Sequence, residues 1–262
     1  MENEEYVDTS KVYIREISSK IAKELIVKNH YSHAWTMCSL PMGIFYKSDK
    51  QDAHFDYGDE NLDLIGVCVF GNPVGRSAAA SFSSEVKLGE VYELTRLWIA
   101  DGYGKNIESY VIAQCFKYIK QHRPHIKVIL SYSDSEQGHM GGIYKATNAY
   151  YQGTQIALMP NFSISVTKDP YDWIHSRTAF EKFGSHNIEK LKKAIGHTFW
   201  RKQESGKHRY FWILTNKKEK AKILKTLKHP TQKYPTDPEM FNYPVTEHFV
   251  ESKNELKNPF FD

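Results

Sequence analysis

The sequence predicts an α/β protein, more fully an α+β mixed sheet with helices on both faces. The runs SLPMGIFYKSD, NLDLIGVCVFGNP and VYELTRLWIA are rich in residues that favour strands, and turn residues bound them. The run IESYVIAQCFKYIKQH repeats apolar residues at helical spacing, on Ile107, Val111, Cys115, Tyr118 and Ile119. A strand, a short helix closed by glycine and another strand are then predicted for HIKVILSYSD, GGIYKATNAYYQG and FSISV.

The elements at the start of the chain are predicted from the same patterns. KIAKELIVKNHYSH has helical spacing and is predicted to end as a helix near Asn29, which places His30 and Tyr31 just past its end. The polar run SDKQDAHFDYGDEN joins the first two predicted strands, so these strands form a hairpin with an extended tip.

Composition excludes several classes of protein. The chain has 262 residues, 40% of them hydrophobic and 14% aromatic, which is enough for a large core. The net charge is only +4, so an acidic partner has to meet a local basic patch. The cysteines Cys38, Cys68 and Cys115 have no CxxC spacing and are expected to be reduced and buried. We found no signal-like apolar start and no apolar run of ~18 residues, so we expect a cytoplasmic protein without a membrane partner.

The loop ADGYGKN lies between the strand VYELTRLWIA and the helix that follows it. Such a loop can point backbone N–H groups and the positive end of the helix at a pyrophosphate. The candidate residues for this cradle are Gly102, Gly104, Lys105 and Asn106. A plain turn explains the same residues, because Asp-Gly and Tyr-Gly pairs are common in loops.

The order of elements from Lys20 to Val166, with ELTRLWI, ADGYGKN and IYKATNAYYQG, resembles the GCN5-related N-acetyltransferase (GNAT) fold. In that family the loop after the fourth strand holds the pyrophosphate of acetyl-coenzyme A. The resemblance therefore implies a GNAT-like fold and acetyl-CoA or another acyl donor. This chain departs from the family pattern Q/R-x-x-G-x-G/A, since Gly104, Lys105 and Asn106 stand where the second glycine is expected.

A narrower resemblance is carried by NHY, ELTRLWIAD, KNIES, SYSDSEQGHMGGIYKATNAYYQG and GKHRYFW. Together these runs, between Ile21 and Phe211, resemble the Mom-type bacteriophage DNA adenine-modification proteins. The resemblance implies transfer of a small carbamoylmethyl group to the exocyclic amine of adenine. The implied partner is double-stranded DNA with a target adenine in a bacterial host cell, and the implied role is protection of phage DNA from restriction.

We predict four segments along the chain. Residues 1–19 form an N-terminal segment, and residues 20–195 form the GNAT-like catalytic domain. Residues 196–229 form a basic aromatic extension packed on that domain. Residues 230–262 contain half of the prolines and are expected to wrap the domain or to stay mobile.

Modification of an exocyclic amine needs a proton acceptor, a polarised donor carbon and a pocket for an extruded base. The candidate catalytic residues are His30, Tyr31, Glu93, Asp134 and Tyr144. Each has a structural alternative: His30 can satisfy the end of a helix, Asp134 can cap a turn, and Glu93 can pair with a neighbouring cation such as Arg96. The two tyrosines can be core or pocket-wall residues, with Tyr144 the candidate proton donor.

A metal ion is a further possibility. His30, Asp134 and His139 are the residue types of a His/carboxylate site for iron or zinc. Their spacing does not indicate that they meet, because His30 lies far from the others in sequence.

The predicted basic patch begins at Arg201. Between Arg201 and Lys228 the sequence has ten Lys or Arg residues and two Glu, interleaved with aromatic residues, a mixture that suits nucleic acid. The predicted contacts flank a hairpin turn at Ser205 and Gly206 and are Arg201, Lys202, Lys207, His208, Arg209 and Tyr210. For KKEKAKILKTLKH we favour an ordinary helix with a solvated face, whose Ile223, Leu224 and Leu227 point inward.

Two other functions remain open at this point. One is an acyltransferase acting on a protein or a small amine, and the other is a non-catalytic nucleic-acid-binding protein with a GNAT core. Binding of acetyl-CoA without DNA binding favours the first, and DNA binding without modification favours the second.

Overall fold

The computed structural model describes residues 5–47, 61–73, 81–134, 141–155, 162–167, 172–203, 207–236 and 245–248. The strands are β1 Val12–Glu16, β2 Leu40–Lys47, β3 Leu62–Gly71, β4 Val91–Ile99, β5 Val128–Asp134, β6 Tyr150–Gln155, β7 Phe162–Ser165, β8 Ile174–His175, β9 Phe199–Gln203, β10 Lys207–Ile213 and β11 Val245–His248. The helices are α1 Ser19–Asn29, α2 Ile107–His122, α3 Gly142–Ala146, α4 Ser176–Phe183, α5 Ile188–Ile195 and α6 Lys217–Lys225.

The chain divides into two compact units. Residues 1–133, 140–153 and 208–235 form the first, and residues 134–139, 154–207 and 236–262 form the second. This division differs from the predicted domain at 20–195 and the predicted extension at 196–229. It differs because β7, β8, β9 and β11 hydrogen-bond to one another in a sheet of their own, whereas β10 joins the large sheet.

The described strands of the first unit form a seven-stranded sheet in the order β1-β2-β3-β4-β5-β10-β6. The pairs β1–β2, β2–β3 and β3–β4 are antiparallel, and β4–β5 is parallel across α2. The predicted hairpin of β2 and β3 and the predicted mixed α/β class are therefore confirmed. Sequence analysis missed the short edge strand β1, and with β1 included the strand before the ADGYGKN loop is the fourth.

Helices cover both faces of this sheet. On one face α2 packs Val111, Cys115 and Ile119 against apolar residues of the central strands. On the other face α1 contributes Ala22 and Ile26 to a cluster with Phe45, and α6 contributes Ile223 to a separate cluster. The ends of α1 are fixed locally, because Ser18 Oγ accepts the N–H of Ile21 and the N–H of His30 donates to the carbonyl of Ile26. The helix ends at Asn29 as predicted.

The segment after β5 departs from the prediction. We expected GGIYKATNAYYQG to be one short helix closed by glycine, but α3 ends at Ala146 and β6 begins at Tyr150. The helix is broken by Asn148, whose φ of 57° is left-handed, and not by Gly153. Gly153, with a φ of 85°, instead lies against the amide of Gln232.

In the second unit, α4 and α5 pack on the sheet of order β11-β9-β7-β8. The predicted strand FSISV is confirmed as β7. The predicted hairpin around Ser205 and Gly206 is wrong, because the flanking strands β9 and β10 belong to different sheets. The turn residues themselves lie outside the described part. Part of the predicted tail, at Val245–His248, is strand β11 and pairs with β9.

No helix within the described ranges is both long enough and apolar enough to cross a membrane.

Candidate active site

The site is built where β4 and β5 part. Their described pairing ends at Leu94 and Ser131, although β4 continues to Ile99 and β5 to Asp134. On its other side β4 has a bulge, since Arg96 pairs with Val69 and Leu94 with Phe70, which leaves Thr95 as the extra residue. The Thr95 hydroxyl donates to the carbonyl of Val69 at 3.1 Å and so stabilises the bulge. The bulge lies next to the point beside Ser131 where the pairing of β4 and β5 ends, and we call this point the gap.

Tyr144 and Ser131 meet at this gap. Their hydroxyl oxygens are 2.9 Å apart, and Ser131 Oγ is also 3.0 Å from the carbonyl oxygen of Leu94. A serine has one proton, so while Ser131 donates to Leu94, Tyr144 donates to Ser131. Burial raises the pKa of Tyr144 to about 12, against the lowering effect of the Ser131 hydroxyl. Tyr144 therefore stays protonated at neutral pH and can act as a hydrogen-bond donor.

Aromatic packing fixes the ring of Tyr144. Its centroid is 5.0 Å from that of Tyr210 and 5.4 Å from that of Trp212. Gly141 begins α3 at a φ of 68°, and a Cβ there would come within 2.5 Å of the Tyr210 ring. Because α3 is only five residues long, this close contact with β10 helps to hold Tyr144 in place.

His30 and Tyr31 lie together after α1. The His30 side chain is buried, and its ring centroid is 4.3 Å from that of Tyr31, which is 54% exposed. His30 Nδ1 accepts the backbone N–H of Ser32 at 3.1 Å, so the neutral imidazole carries its proton on Nε2. The backbone of His30, through its bond to Ile26, closes the helix. The sequence offered a second role for His30, which was to satisfy the last carbonyls of α1. The backbone N–H of His30 fills this role for the carbonyl of Ile26.

Arg96 connects Tyr31 to Glu93. Burial lowers the pKa of Arg96, and the carboxylate of Glu93 and the ionised form of Tyr31 act in the opposite direction. Its guanidinium donates to the carbonyls of Ala34 and Thr95, which ties the segment after α1 to the bulge. Tyr31 and Glu93 also raise the pKa of Tyr144. Of the predicted residues, Tyr31 and Glu93 thus interact electrostatically with Tyr144, and also with Arg96.

Sequence analysis treated Arg96 only as a partner for Glu93, and it missed Ser131 and Tyr132 as site residues. Burial raises the pKa of Tyr132, and the nearby Arg209 lowers it. Arg209 in turn lies over the ring of Phe82 at 5.7 Å and interacts with Glu93. The signal in the sequence was ELTR and SYSD, which carry these residues on two neighbouring strands.

The structure describes only the backbone of Asp134, and His139 is not among the described residues. Asp134 is the last residue of β5, but its side chain lies outside the described residues. His139 lies outside them altogether. Across the described ranges there is no group of three or more His, Cys, Asp or Glu side chains that could hold a metal ion. The predicted meeting of Asp134 with His30 stays a prediction.

The ADGYGKN loop is in contact with the N-terminal segment. The N–H of Lys105 donates to the carbonyl of Glu5 at 2.9 Å, and the N–H of Val7 donates to the carbonyl of Lys105 at 3.1 Å. Gly104 has a φ of 97°, and a Cβ there would lie 2.7 Å from the nitrogen of Val7. Asn106 has a φ of 68° and caps α2 without a side-chain hydrogen bond. One N–H of the predicted cradle is therefore already engaged.

A cavity of about 570 Å³ adjoins this loop. Its charged lining residues are Lys105 together with the acids Glu5, Asp8, Asp101 and Glu108. Four carboxylates and one ammonium group repel a pyrophosphate. With the N-terminal segment in place, the loop formed by Gly102, Gly104, Lys105 and Asn106 therefore does not fit the phosphates of coenzyme A.

The predicted nucleic-acid contacts are separated by the fold. Arg201 and Lys202 lie on β9, over the rings of Phe162 at 4.5 Å and Trp173 at 5.1 Å, and Lys207 is exposed. His208, Arg209 and Tyr210 are each 0% exposed. Their prediction as surface contacts is wrong, because β10 lies between β5 and β6 in a sheet covered on both faces. Burial accordingly lowers the pKa of His208, whose Nδ1 is 2.7 Å from the hydroxyl of Tyr151.

The antiparallel start of the sheet, the parallel β4–β5 pair joined through α2 and the gap beside the bulge define a GNAT-like protein. The chain belongs to the Mom protein family, whose family model matches residues 11–236. The resemblance of its motifs to Mom-type proteins is thereby confirmed.

Individual relatives are more distant. The chain is 24% identical over 228 residues to "Methylcarbamoylase mom" of Escherichia phage Mu, which covers 85% of this chain and 83% of that protein. It is similar to the solved structure of Arabidopsis thaliana NAA60 in complex with acetyl-CoA, at 10% identity and a TM-score of 0.42, covering 77% of this chain and 99% of that one. It is also similar to the solved structure of spermidine N-acetyltransferase from Vibrio cholerae in complex with CoA and spermine. The identity is 8% and the TM-score 0.39, and the match covers 79% of this chain and 97% of that one.

Proposed function

We propose that this protein transfers a small carbamoylmethyl-type group to the exocyclic amine of adenine in double-stranded phage DNA, which protects that DNA from restriction. Membership of the Mom family supports a DNA-modifying transferase. The name of the phage Mu relative, a methylcarbamoylase, supports the kind of group. The observation that carries the proposal is the hydrogen bond between Tyr144 and Ser131 where β4 and β5 part. Glu93 and Arg96 of β4 lie next to it, and Arg96 interacts electrostatically with Glu93 and with Tyr31.

The roles of these residues follow from their charges. As the amine nitrogen bonds to the donor carbon and the leaving group departs, the nitrogen must lose a proton. Glu93, a partly buried carboxylate at the gap, is the proposed acceptor, and Asp134 at the end of β5 is the second candidate. Tyr144 remains protonated, and as negative charge develops on the donor its hydroxyl turns its one proton from Ser131 to that charge. Arg96 balances the charge of Glu93 and holds the segment that carries Tyr31.

Tyr31 is suited to contact the extruded base. Its ring is more than half exposed, and the buried His30 supports it from one side. Flipped bases stack on such aromatic faces. Arg201, Lys202 and Lys207 remain our proposed contacts to DNA outside this site.

The test is a nucleoside analysis. The protein and its Tyr144→Phe variant are expressed separately in a bacterium, and the DNA is digested and examined by mass spectrometry. We expect a modified deoxyadenosine with the parental protein and a much smaller amount with the variant. Unmodified DNA at good expression of folded parental protein would overturn the proposal. In that case, acylation of an added protein or small amine would favour the acyltransferase, and duplex binding alone would favour a binding protein.

A further inference from the structure

Helix α6 presents a set of lysines that the proposed chemistry does not use. Residues 217–233 contain seven lysines and one acidic residue. Ile223 is buried, and Leu224 and Leu227 pack against the same apolar cluster. The predicted inward face of this helix is therefore confirmed. The outward residues, which we name the lysine face, are Lys217, Lys218, Lys222, Lys225 and Lys228, and all are exposed.

The lysines lie on one side of the helix. At ~100° per residue, Lys217, Lys218, Lys222 and Lys225 fall within an arc of about 140°, and the buried Ile223 lies opposite the centre of that arc. The acidic residue of this stretch, Glu219, points away from that arc and forms an ion pair with Lys127 at 2.9 Å. Lys127 is also held by Glu90 at 3.0 Å. The positive charge of the lysine face is thus not offset by the acid on its own helix.

Two lysines of this face are placed against the helix dipole, whereas Lys222 and Lys225, in the last turn, are placed with it. Lys217 and Lys218 occupy the first turn, where the helix dipole favours negative side chains. Departures from such local rules are expected where function requires them. The helix is capped instead by Asn216, whose side chain accepts the N–H of Glu219 at 3.0 Å.

The lysine face is connected to the candidate site within the first unit. The N–H of Lys228 donates to the carbonyl of Phe82 at 2.9 Å. The ring of Phe82 lies under the guanidinium of Arg209, which interacts with Glu93 and Tyr132. Because α6 packs on the cluster that contains Val91, and Val91 and Glu93 are alternate residues of β4, the lysine face lies on the sheet face that carries Glu93.

We propose that the lysine face binds the phosphate backbone of the duplex DNA on which this protein acts. Lys218, Lys222 and Lys225 rise about 6 Å and about 5 Å from one to the next, a spacing that suits a polymer with regularly repeated negative charge. Among residues 217–225 the outward positions carry lysines and Ala221 without an aromatic or large apolar side chain, whereas a membrane-binding helix carries such residues. The inference rests on the proposed function.

The experiment compares two triple variants of the full chain. In the first, Lys218→Gln, Lys222→Gln and Lys225→Gln remove three charges from the lysine face. In the control, Lys20→Gln, Lys23→Gln and Lys28→Gln remove three exposed charges from α1 of the same unit. Glutamine and lysine have similar helix propensities, so both helices should persist, and thermal unfolding checks this. Affinity for a short duplex is measured by fluorescence anisotropy at several salt concentrations.

We expect the first variant to bind the duplex more weakly and to lose about 2.7 from the magnitude of the slope of log K against log[salt], since each phosphate contact contributes about 0.9. The control should keep the parental slope. Equal slopes for all three proteins, or equal losses of slope in both variants, would overturn the proposal that the lysine face binds DNA. If the parental protein modifies cellular DNA while the first variant keeps the parental salt slope, the proposal that the lysine face binds DNA is wrong and the proposed function stands. A parental protein that neither binds duplex nor modifies DNA would overturn both.

Discussion

Lys105 donates its backbone N–H to the carbonyl of Glu5, although this loop is the one in which the sequence predicts a pyrophosphate cradle. The donor is the type of group that a cradle needs, and the acceptor belongs to the same chain. The segment Glu5–Val7 therefore takes a place that a donor molecule would need.

The two glycines of the loop allow a matched test of this contact. Gly104 and Gly102 have φ angles of 97° and 91°, but a Cβ at Gly104 would touch Val7 and Tyr6, whereas at Gly102 nothing lies within 4 Å. We expect Gly102→Ala to lower the free energy of unfolding by about 1 kcal/mol, through backbone strain alone. Gly104→Ala should lower it by at least about 1 kcal/mol more. Chemical denaturation measures both, and equal losses would show that Glu5–Val7 does not rest on the loop in solution.

Shortening the N-terminus should free the loop. Deletion of residues 1–7 removes the Glu5 carbonyl that accepts from Lys105 and the Glu5 carboxylate that lines the cavity. We expect this deletion to increase the affinity for a coenzyme A thioester in calorimetry, because an N–H donor becomes available and a repulsive charge is lost. Deletion of residues 1–4 is the control and should leave the affinity unchanged. No gain on deletion of residues 1–7 would make the loop a plain turn.

Tyr144 should make the protein sensitive to alkali. The folded protein raises the pKa of Tyr144 from its usual 10.0 to about 12, so the stabilising difference is complete below pH 10. Between pH 10 and 12 the unfolded chain loses this proton and the folded chain keeps it, so stability falls as pH rises, by at most about 1.4 kcal/mol per pH unit. We expect Tyr144→Phe to make that decline shallower in thermal unfolding from pH 9 to 12. A decline of the same steepness in both proteins would contradict a buried, protonated Tyr144.

The proton acceptor can be identified by two isosteric changes. If Glu93 accepts the amine proton, Glu93→Gln should lower the rate of DNA modification by ~10² to 10⁴, and Asp134→Asn should have a smaller effect. Mass spectrometry of deoxyadenosine after timed reactions with purified protein measures both rates, and circular dichroism checks the fold. A larger loss of rate in Asp134→Asn than in Glu93→Gln would make Asp134 the proton acceptor. Parental rates in both variants would exclude proton transfer to either carboxylate.

Much of the local structure could be predicted from the sequence because it depends on periodicity and on neighbouring residues. The spacing of Val111, Cys115 and Ile119 defines the buried face of α2, and Asn29 ends α1 where predicted. The NHY and SYSD motifs indicated the chain's relatives. The edge strand β1 was missed, since five residues with two charges give little pattern.

The sequence by itself determined the α/β class, the β2–β3 hairpin, the strand–loop–helix unit around ADGYGKN and the identity of most candidate residues. Only the tertiary structure decided which of these residues meet. An alternating strand such as KHRYFWI has the same pattern at the edge of a sheet as in its centre, so the burial of Arg209 followed from the insertion of β10 between β5 and β6. Likewise, the hydrogen bond between Ser131 and Tyr144 and the packing of Tyr144 on Tyr210 depend on long-range strand pairing, which residue spacing does not encode.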